Sequence, residues 1–417
     1  MREMKDSGIE WVGKVPKHWK CCKQKYGLTL LHGRAFKESE FLEDGKYKVL
    51  RVGNLFTNPI WHYSNLMLED NKYCQKGDLL YSWSMSYAPF IWSGDKVIYH
   101  YHIWKVLIDD ILCKKFVYYY LLALTEALYA EIHETTMGFI TMGIMNNSYL
   151  PYCNLEEQQQ IANFLDTQCS EIDATAEDIQ KEIALLEEYK KSVITEAVTK
   201  GLNPDAEMKD SGIEWLGKVP TNWNFSRVLY NIKFEGGSQP PLTEFVGDYR
   251  EGYIRLIQNR DYKTDAYKVY VPKKSVSKFC DEEDIMVGRY GPPLFVIHKG
   301  LKGAYNVALM KAVPIGINKQ FMYYFLHNST MLNYIESFSK RTAGQSGVNP
   351  EILKKYPMFL PNFSEQQQIA DYLDTQCSEI DTLIADKKRQ LDILADYKKS
   401  LIYEYVTGKK EVPVKDF

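Results

Sequence analysis

The sequence EQQQIANFLDTQCSEID at residues 157–173 decides the architecture of this chain, because it returns almost unchanged as EQQQIADYLDTQCSEID at residues 365–381. The two copies differ at two of 17 positions and lie 208 residues apart. Each copy opens a run of apolar residues at heptad spacing, which is typical of a long helix with one narrow apolar seam. A helix of about 44 residues would measure roughly 66 Å, which exceeds the face of one small domain.

The two seams predict that the long helices pair with each other. The predicted pairing residues are Leu165, Ile172, Ile179, Leu186 and Val193 in the first helix, and Leu373, Ile380, Leu394 and Leu401 in the second. Asn154 and Ser364 are the predicted N-caps, and Gly201 and Gly408 the predicted stops. The alternative is a core helix in each of two unrelated domains, and the near-identity of the two copies disfavours it.

Length and composition bound the class of protein. At 417 residues the chain is long enough for two or three domains, each with its own core. No apolar run approaches the ~20 residues of a membrane span, and the N-terminus shows no secretory signal. We therefore expect a cytoplasmic protein without a membrane partner. The eight cysteines form no Cys-x-x-Cys pair, which argues against a disulfide framework and a zinc site.

A second duplicated segment, which we call the lead peptide, precedes each variable region. MKDSGIEWVGKVPKHW at residues 4–19 returns at residues 208–223 with 13 of 16 positions identical. Its Gly and Pro content predicts an extended docking segment. Its glycine spacing imitates a phosphate-binding loop, but Val15 and Pro16 stand where that loop needs a hydroxyl and a helix start.

The duplication predicts the domain bounds. They are 1–150 for the first lead peptide and variable domain, 151–203 for the first long helix, 204–361 for the second lead peptide and variable domain, and 362–417 for the second long helix. Residues 151–200 carry a net charge of −7, whereas residues 221–361 carry +7. This contrast suits modules that approach phosphate and are held on acidic helices.

The two variable regions, residues 20–150 (module 1) and 224–361 (module 2), share an order of predicted elements but little sequence identity. The predicted elements are strands at 47–52, 253–257, 97–106 and 307–313, helices at 115–132 and 318–338, and glycine-rich exit loops at 137–147 and 342–349. Near-identical helices with diverged modules indicate one scaffold that carries two different recognition surfaces.

The sequence lacks the signatures of an active site. No glycine-rich loop follows a predicted strand, so neither S-adenosylmethionine nor a nucleotide has a cradle here. Residues 291–294 (GPPL) lack the polar and aromatic residues with which DNA amino-methyltransferases hold the target amine. His100 and His102 lie on one face of a predicted strand without a further metal ligand, which indicates a structural role. We expect no catalytic residue, cofactor or metal in this chain.

Polar and aromatic residues cluster at the predicted strand ends and suggest DNA contact. The candidates are Arg51, Asn54, Trp83, Ser84, Ser86 and Tyr87 in module 1, and Arg255, Gln258, Asn259, Arg260, Arg289, Tyr290, Lys340, Arg341, Gln345 and Ser346 in module 2. Arg can form two hydrogen bonds with guanine, and Asn or Gln can form two with adenine. Each residue alone fits a solvated surface equally well, so the interpretation depends on the ensemble.

These motifs resemble those of the specificity subunit of type I restriction–modification enzymes. The resemblance lies in the MKDSGIEW-x-G-x-x-P-x-x-W lead peptide, the Gly-Asp-Leu-Leu-x-Ser-Trp-Ser loop and the Leu-Pro…Glu-Gln-Gln-x-Ile-Ala helix start. It implies an α+β fold in which two α/β target-recognition domains are separated by two long antiparallel coiled-coil helices with an internal pseudo-two-fold repeat. Each domain would read one half of a bipartite, asymmetric target in double-stranded DNA.

The resemblance also implies partners for this chain. They are two methylation subunits, which carry S-adenosylmethionine and modify adenine, and restriction subunits, which use ATP and Mg²⁺ and cleave DNA. Two other functions stay open at this point. One is a helical scaffold or interaction protein that binds no DNA, and the other is an enzyme with an undetected nuclease centre.

Overall fold

The computed structural model of the chain describes residues 2–84, 86–134, 140–291, 293–339 and 347–413. The chain forms two compact units, of which unit 1 comprises Met1–Ile179 with Arg389–Phe417 and unit 2 comprises Gln180–Lys388. Each unit therefore contains one lead peptide, one module and a portion of both long helices.

The first half of the chain contains the elements of module 1 and the first long helix. In chain order they are β1 (Met4–Asp6), β2 (Lys14–Pro16), β3 (Lys20–Lys23), β4 (Leu28–His32), β5 (Tyr47–Leu50), α1 (Val52–Phe56), β6 (His62–Ser64), β7 (Tyr73–Cys74), β8 (Leu79–Ser82), β9 (Ala88–Ile91), β10 (Val97–Tyr99), β11 (Ile103–Ile108), α2 (Lys114–Glu134), α3 (Met142–Asn147), β12 (Tyr149–Tyr152) and α4 (Leu155–Lys200).

The second half repeats this order with module 2 and the second long helix. Its elements are β13 (Met208–Asp210), β14 (Lys218–Pro220), β15 (Asn224–Arg227), α5 (Val228–Asn231), β16 (Ile232–Gly236), β17 (Tyr253–Ile257), β18 (Tyr270–Pro272), β19 (Phe279–Cys280), β20 (Ile285–Gly288), β21 (Ile297–His298), β22 (Gly303–Tyr305), β23 (Leu309–Pro314), α6 (Lys319–Leu326), α7 (Ser329–Ser339), α8 (Pro350–Lys355), β24 (Pro357–Leu360) and α9 (Phe363–Val406).

The two modules have the same sheet topology. Module 1 contains sheets of order β6-β5-β10-β7 and β4-β11-β8-β9, and module 2 contains sheets of order β18-β17-β22-β19 and β16-β23-β20-β21. In each module one central pair, β5 with β10 or β17 with β22, is parallel. The α+β fold with an internal repeat is confirmed.

The duplicated lead peptide packs onto the start of a long helix. β1 pairs with β2 as an antiparallel hairpin, and β13 pairs with β14 in the same register. Trp19 and Trp223 follow these hairpins and are buried. The Trp19 indole N–H donates to Glu157 at 3.3 Å, and that of Trp223 donates to Glu365 at 2.9 Å. The extended docking segment predicted from Gly and Pro is confirmed.

The glutamine after each of these glutamates fastens the module to its helix. Gln158 is buried and accepts a hydrogen bond from the Cys113 amide at 2.8 Å, just before α2 begins. Gln366 accepts from the Asn318 amide at 2.8 Å, just before α6 begins. A buried amide left without a partner would cost about 1–3 kcal/mol, so these bonds explain why the Glu-Gln pair is duplicated.

The two long helices run antiparallel and pair within each unit. In unit 1, Lys398 of α9 bonds both carboxylate oxygens of Asp173 of α4, at 2.6 and 2.7 Å. In unit 2 the same pair recurs with the helices exchanged, because Lys190 of α4 bonds Asp381 of α9 at 2.6 and 2.7 Å. Each long helix therefore contributes one lysine to an ion pair across the seam.

The predicted pairing residues lie on the inner side of these helices. Those that are buried are Leu165, Ile179, Leu373, Ile380 and Leu401, and those that are partly buried are Ile172, Leu186, Val193 and Leu394. Toward the helix ends the same seams also join the core of the neighbouring module. No helix of the described residues carries an apolar stretch that could cross a membrane.

Several predicted boundaries differ in the structure. The predicted cap Asn154 is confirmed by a bond from the Glu157 amide at 2.9 Å, but the predicted cap Ser364 is wrong. Helix α9 begins at Phe363 because the Asn362 side chain accepts from the Glu365 amide at 2.9 Å.

The C-terminal stops of the long helices agree with prediction. Gly201 and Gly408 follow α4 and α9 with φ angles of 77° and 70°, a left-handed conformation that favours glycine.

The predicted helix at 318–338 is interrupted, and the predicted strand at 97–106 is two strands. Asn328 separates α6 from α7 because its side chain accepts from the Met331 amide at 2.8 Å and so caps a new helix. β10 ends at Tyr99 and β11 begins at Ile103, so the expectation that His100 and His102 share one strand face is wrong. Part of the predicted exit loop at 137–147 is helix α3, capped by Thr141.

Candidate functional site

The ends of strands β5, β8 and β10 bring together the candidate residues of module 1. Arg51 directly follows β5, and its guanidinium lies 5.4 Å from the centre of the Phe41 ring. Trp83 directly follows β8, and its amide donates to the His102 carbonyl at 3.2 Å. The turn that contains His102 connects β10 to β11. The His100 amide in this turn donates to the carbonyl of Leu50, the residue before Arg51, at 2.9 Å, so Arg51 and Trp83 border the same turn.

Trp83 is held in a stack of aromatic rings. Its ring stacks on Trp104 with the centroids 5.6 Å apart, and Trp104 stacks on Tyr81 at 5.8 Å. The Trp83 indole N–H donates to the Tyr101 carbonyl at 2.8 Å. The edge of the ring also meets His102 at 5.3 Å. The stack fixes Trp83 while leaving it partly exposed at the strand end.

Sequence reasoning treated His100 and His102 as structural and missed their place beside these candidates. Their rings lie 4.8 Å apart. Burial, then the neighbouring His102 and Arg51, lowers the pKa of His100 to about 4. Burial and Arg51 also lower the pKa of His102. Both rings are therefore neutral at pH 7, and each offers one hydrogen-bond donor and one acceptor. The signal available in the sequence was the His-Tyr-His run after a short apolar strand.

The remaining candidates of module 1 occupy the loop after β8 and the turn after β5. Ser84 is buried and accepts the amide of Ser86 through its carbonyl at 2.8 Å. The Tyr87 ring contacts Tyr129 of α2 at 5.4 Å. These contacts order the loop next to Trp83.

Asn54 has a local structural task in helix α1. Its side-chain oxygen accepts from the Arg51 amide at 3.1 Å. Its side-chain nitrogen donates to the carbonyls of Asn58 at 3.1 Å and Ile60 at 2.8 Å. These bonds hold the turn that positions Arg51, and a base contact by Asn54 stays a prediction.

In module 2 the ends of β17, β20 and β22 bring together Gln258 and Arg289. Gln258 directly follows β17, and Arg289 directly follows β20. The Arg289 guanidinium lies over the Tyr290 ring at 5.1 Å. Val348 donates its amide to the Arg289 carbonyl at 2.8 Å, so the end of the predicted exit loop lies beside this site. The candidates Lys340, Arg341, Gln345 and Ser346 lie outside the described residues.

Three further candidates of module 2 have partners in the structure. Arg255 forms an ion pair with Asp265 at 2.9 Å. Arg260 is exposed over the Tyr267 ring at 5.5 Å. The Asn259 oxygen lies 2.7 Å from the His298 Nε2 atom. Burial lowers the pKa of His298 to about 4, so its ring is neutral. Because the Asn259 oxygen can only accept, the Nε2–H of His298 donates this hydrogen bond and orients the Asn259 amide.

Matching main-chain bonds show which positions of the two modules correspond. The Trp83 amide donates to the His102 carbonyl, and the Arg289 amide donates to the Ala308 carbonyl at 2.8 Å. Trp83 in module 1 therefore corresponds to Arg289 in module 2. A further correspondence follows from the parallel strand pairs, which end at Leu50 in one module and Ile257 in the other.

The residues after these strand ends differ in kind although their backbones agree. Arg51 follows β5 in module 1, and Gln258 follows β17 in module 2. Arg suits the acceptor edge of guanine, whereas Gln can pair with both the donor and the acceptor of adenine. No group of three or more metal-ligating side chains occurs within the described ranges.

Comparison with known proteins agrees with this arrangement. Over residues 16–185 and 238–392 the chain matches the family described as Type I restriction modification DNA specificity domain. The chain belongs to this family. The two matched segments follow the internal repeat, so each half of the chain carries one copy of the specificity domain.

Relatives of this specificity-domain family extend along most of the chain. The specificity subunit of the type I restriction enzyme MjaVIII from Methanocaldococcus jannaschii is 25% identical over 90% of this chain and 86% of that protein. The EcoBI specificity subunit from Escherichia coli is 23% identical over 88% of this chain and 81% of that protein.

A solved structure described as the basis of complex assembly and conformational transition of the type I R-M system has the same fold. It matches 95% of this chain and 99% of its own with a TM-score of 0.69 at 14% identity.

Proposed function

We propose that this chain is the DNA sequence-specificity subunit of a type I restriction–modification system and that each module reads one half of a bipartite, asymmetric target. One observation carries the proposal. The two modules share their sheet orders and strand-end hydrogen bonds, yet place different side chains, such as Arg51 and Gln258, at the same position. A common backbone with different donors and acceptors is what recognition of two different half-sites requires.

The chain itself supplies recognition, and its partners supply the chemistry. In this proposal two methylation subunits bind S-adenosylmethionine and modify adenine, while restriction subunits use ATP and Mg²⁺ to cleave DNA. The chain is then a non-catalytic subunit that works where those partners and the DNA are, in the cytoplasm. The family membership and the named specificity-subunit relatives support this division of labour.

A duplicated apolar pair on the long helices supports two copies of one partner. Leu185 and Tyr189 of α4 are 64% and 55% exposed, one helical turn apart. Ile393 and Tyr397 occupy the same repeat positions in α9 and are 60% and 51% exposed. Large apolar side chains kept on the surface at both repeats indicate contact with another protein. We assign these two pairs to the two methylation subunits.

Module exchange tests the recognition proposal. Module 1 is replaced by the corresponding region of another specificity subunit, and the methylation motif is read by methylome sequencing with and without the gene. We expect the wild-type chain to direct one bipartite motif and the exchange to change one half only. A motif that does not depend on this gene would refute DNA recognition and leave the helical scaffold as the function. A change in both halves would refute the modular division.

The mass of the purified complex tests the assignment of the methylation subunits. Tyr189→Ala with Leu185→Asp removes one apolar pair, and each lost Leu or Tyr contact is worth roughly 1.5–3 kcal/mol. We expect this variant to bind one methylation subunit instead of two. Tyr249→Ala, which removes a similarly exposed tyrosine of module 2, is the control and should keep two. Full occupancy in the helix variant would contradict the assignment.

A further inference from the structure

The turn between the parallel strand and its successor has the same main-chain bonds in both modules. The His100 amide donates to the Leu50 carbonyl at 2.9 Å, and the Asn306 amide donates to the Ile257 carbonyl at 3.1 Å. A glycine opposite each turn, Gly33 or Gly237, approaches so closely that an added Cβ would overlap backbone atoms of the turn. His100 and Asn306 therefore occupy equivalent positions, although one is aromatic and the other an amide.

The two side chains also make the same local hydrogen bond. The His102 amide donates to the Nδ1 atom of His100 at 3.5 Å. The Ala308 amide donates to the Oδ1 atom of Asn306 at 3.1 Å. In both turns the acceptor of the side chain is bonded to the residue two positions later. This leaves the donor of each side chain, the Nε2–H of His100 and the Nδ2 amide of Asn306, for another group.

The protonation state of His100 agrees with a hydrogen-bond donor at Nε2. Burial lowers its pKa to about 4, so the ring is neutral under ordinary conditions and carries one proton. Because Nδ1 accepts a hydrogen bond, that proton is on Nε2. Among the described residues no acceptor is bonded to His100 Nε2 or to Asn306 Nδ2. Both residues are partly exposed.

The neighbours of each donor are the candidate reading residues of its module. Arg51 lies close enough to His100 to lower its pKa, and Trp83 is bonded through its amide to the same turn. In module 2 the amide of Arg289 bonds the turn that contains Asn306. The donors thus lie at strand ends where the two modules carry different side chains, such as Arg51 and Gln258.

We propose that His100 and Asn306 are matched specificity-determining residues, each donating a hydrogen bond to an acceptor on a base edge of the half-site that its module reads. The acceptors available in the major groove are N7 and O6 of guanine, N7 of adenine and O4 of thymine. The inference rests on the proposed function and names residues that perform it. Each module thus has one donor at the same backbone position, although the surrounding side chains of the two modules differ.

Asn306→Asp tests the inference in module 2. The aspartate keeps an oxygen for the Ala308 amide, so the turn is preserved while the donor is lost. In the complex with the methylation subunit, we expect affinity for the target duplex relative to a scrambled duplex to fall roughly 10- to 100-fold. Methylome sequencing should show one base of one half-site relaxed or changed.

Asn203→Asp is the matched control for this variant. Asn203 also accepts an amide, that of Asp205 at 3.0 Å, and it is exposed in the segment after α4. The control introduces the same charge and keeps the same kind of turn, and it should leave affinity and motif unchanged. Equal losses of affinity in the two variants would show that the added charge causes the effect, and would overturn the inference.

His100 supplies the reciprocal test in module 1. His100→Leu removes both the Nε2–H donor and the Nδ1 acceptor of the His102 amide, whereas His100→Asn keeps an acceptor for that amide and installs the side chain that module 2 uses in the same turn. We expect His100→Leu to change the half-site that Asn306→Asp leaves unchanged. His100→Asn should discriminate between the target duplex and a scrambled duplex more strongly than His100→Leu. Variants that methylate the wild-type motif with affinities within twofold would overturn the inference.

Thermal melting separates loss of recognition from loss of folding. Lost discrimination in variants that melt like the wild-type complex supports the inference, whereas lost methylation in variants that are unfolded in both modules overturns it in favour of a structural role. Methylome sequencing with the wild-type chain tests the proposed function. If it directs a gene-dependent bipartite motif and the variants leave that motif unchanged, only the present inference fails.

Discussion

Replacing Gln158 by leucine removes the hydrogen bonds that connect the start of helix α4 to module 1. The Gln158 oxygen accepts from the Cys113 amide at 2.8 Å. Its nitrogen donates to the carbonyls of Ile111 at 3.0 Å and Cys153 at 2.9 Å. Leucine has nearly the same size but neither donor nor acceptor, so the substitution tests these bonds without creating a large cavity.

The expected loss of stability depends on whether each group that loses its bond to Gln158 can form another hydrogen bond. Ile111 is half exposed, so its carbonyl regains a water and contributes little. The Cys113 amide and the Cys153 carbonyl belong to buried residues, and each costs about 1–3 kcal/mol when unsatisfied. Burial of the leucine side chain offsets part of this cost. We expect a net loss of about 2–4 kcal/mol, which corresponds to a fall in the melting temperature of roughly 5–12 °C.

Chemical denaturation and hydrogen exchange measure the two parts of this prediction. Urea unfolding gives the loss of free energy, and the Cys113 amide should exchange faster in the variant than in the wild-type chain. Gln160→Leu is the control, because Gln160 is exposed on the same turn of the helix. A loss below about 1 kcal/mol, or a loss equal to that of the control, would refute the structural role of Gln158.

Three further predictions concern two ion pairs and the Trp223 indole. Arg34 holds the pKa of the Glu40 carboxyl at about 2 rather than 4.5, so its stabilising effect is present above pH 4.5 and is lost as the pH falls toward 2. NMR titration checks this midpoint, and Arg34→Ala should raise it. Lys190→Glu should destabilise unit 2, and adding Asp381→Lys should restore about 0.2–1 kcal/mol in a double-mutant cycle; no coupling would contradict the pairing. Trp223→Phe should cost about 2–4 kcal/mol in urea unfolding, because a charge-assisted hydrogen bond and part of a buried ring are lost; an unchanged midpoint would contradict that.

The long helices could be predicted from sequence because their signals are local and repeated. Heptad spacing, the cap Asn154 and the terminal Gly201 each act within a few residues of the boundary that they set. The break at Asn328 escaped prediction because the apolar spacing continues across it from α6 to α7. The break becomes apparent in the structure, where the Asn328 side chain accepts the Met331 amide and caps a new helix.

The candidate site was predicted in part, and the reason lies in what polar residues do at turns. Asn54 and Asn259 have the composition of base-reading residues, but the same amides cap turns and bond neighbouring side chains. Sequence does not distinguish these tasks. His100 was missed for the opposite reason, because its donor becomes apparent only when the bond from the His102 amide to Nδ1 is seen.

The correspondence between the modules was also beyond the sequence, since their side chains have diverged at the strand ends. At these positions main-chain bonds fix the geometry, as with the His100 amide on the Leu50 carbonyl and the Asn306 amide on the Ile257 carbonyl. A main-chain bond does not depend on the side chain of the residue that makes it. Side chains there can therefore change from one donor or acceptor to another without loss of the fold.

The opposite holds where each module meets its long helix. There the side chains of Gln158 and Gln366 themselves make the bonds, so substitution costs stability and both copies stay the same. Lys190 and Lys398 are constrained in the same way, because each is bonded to an aspartate of the other helix. Whether main chain or side chain supplies the bond thus explains why the scaffold is duplicated while the recognition surfaces differ. A recognition subunit needs this division, since its reading residues can then change without weakening the structure that presents them.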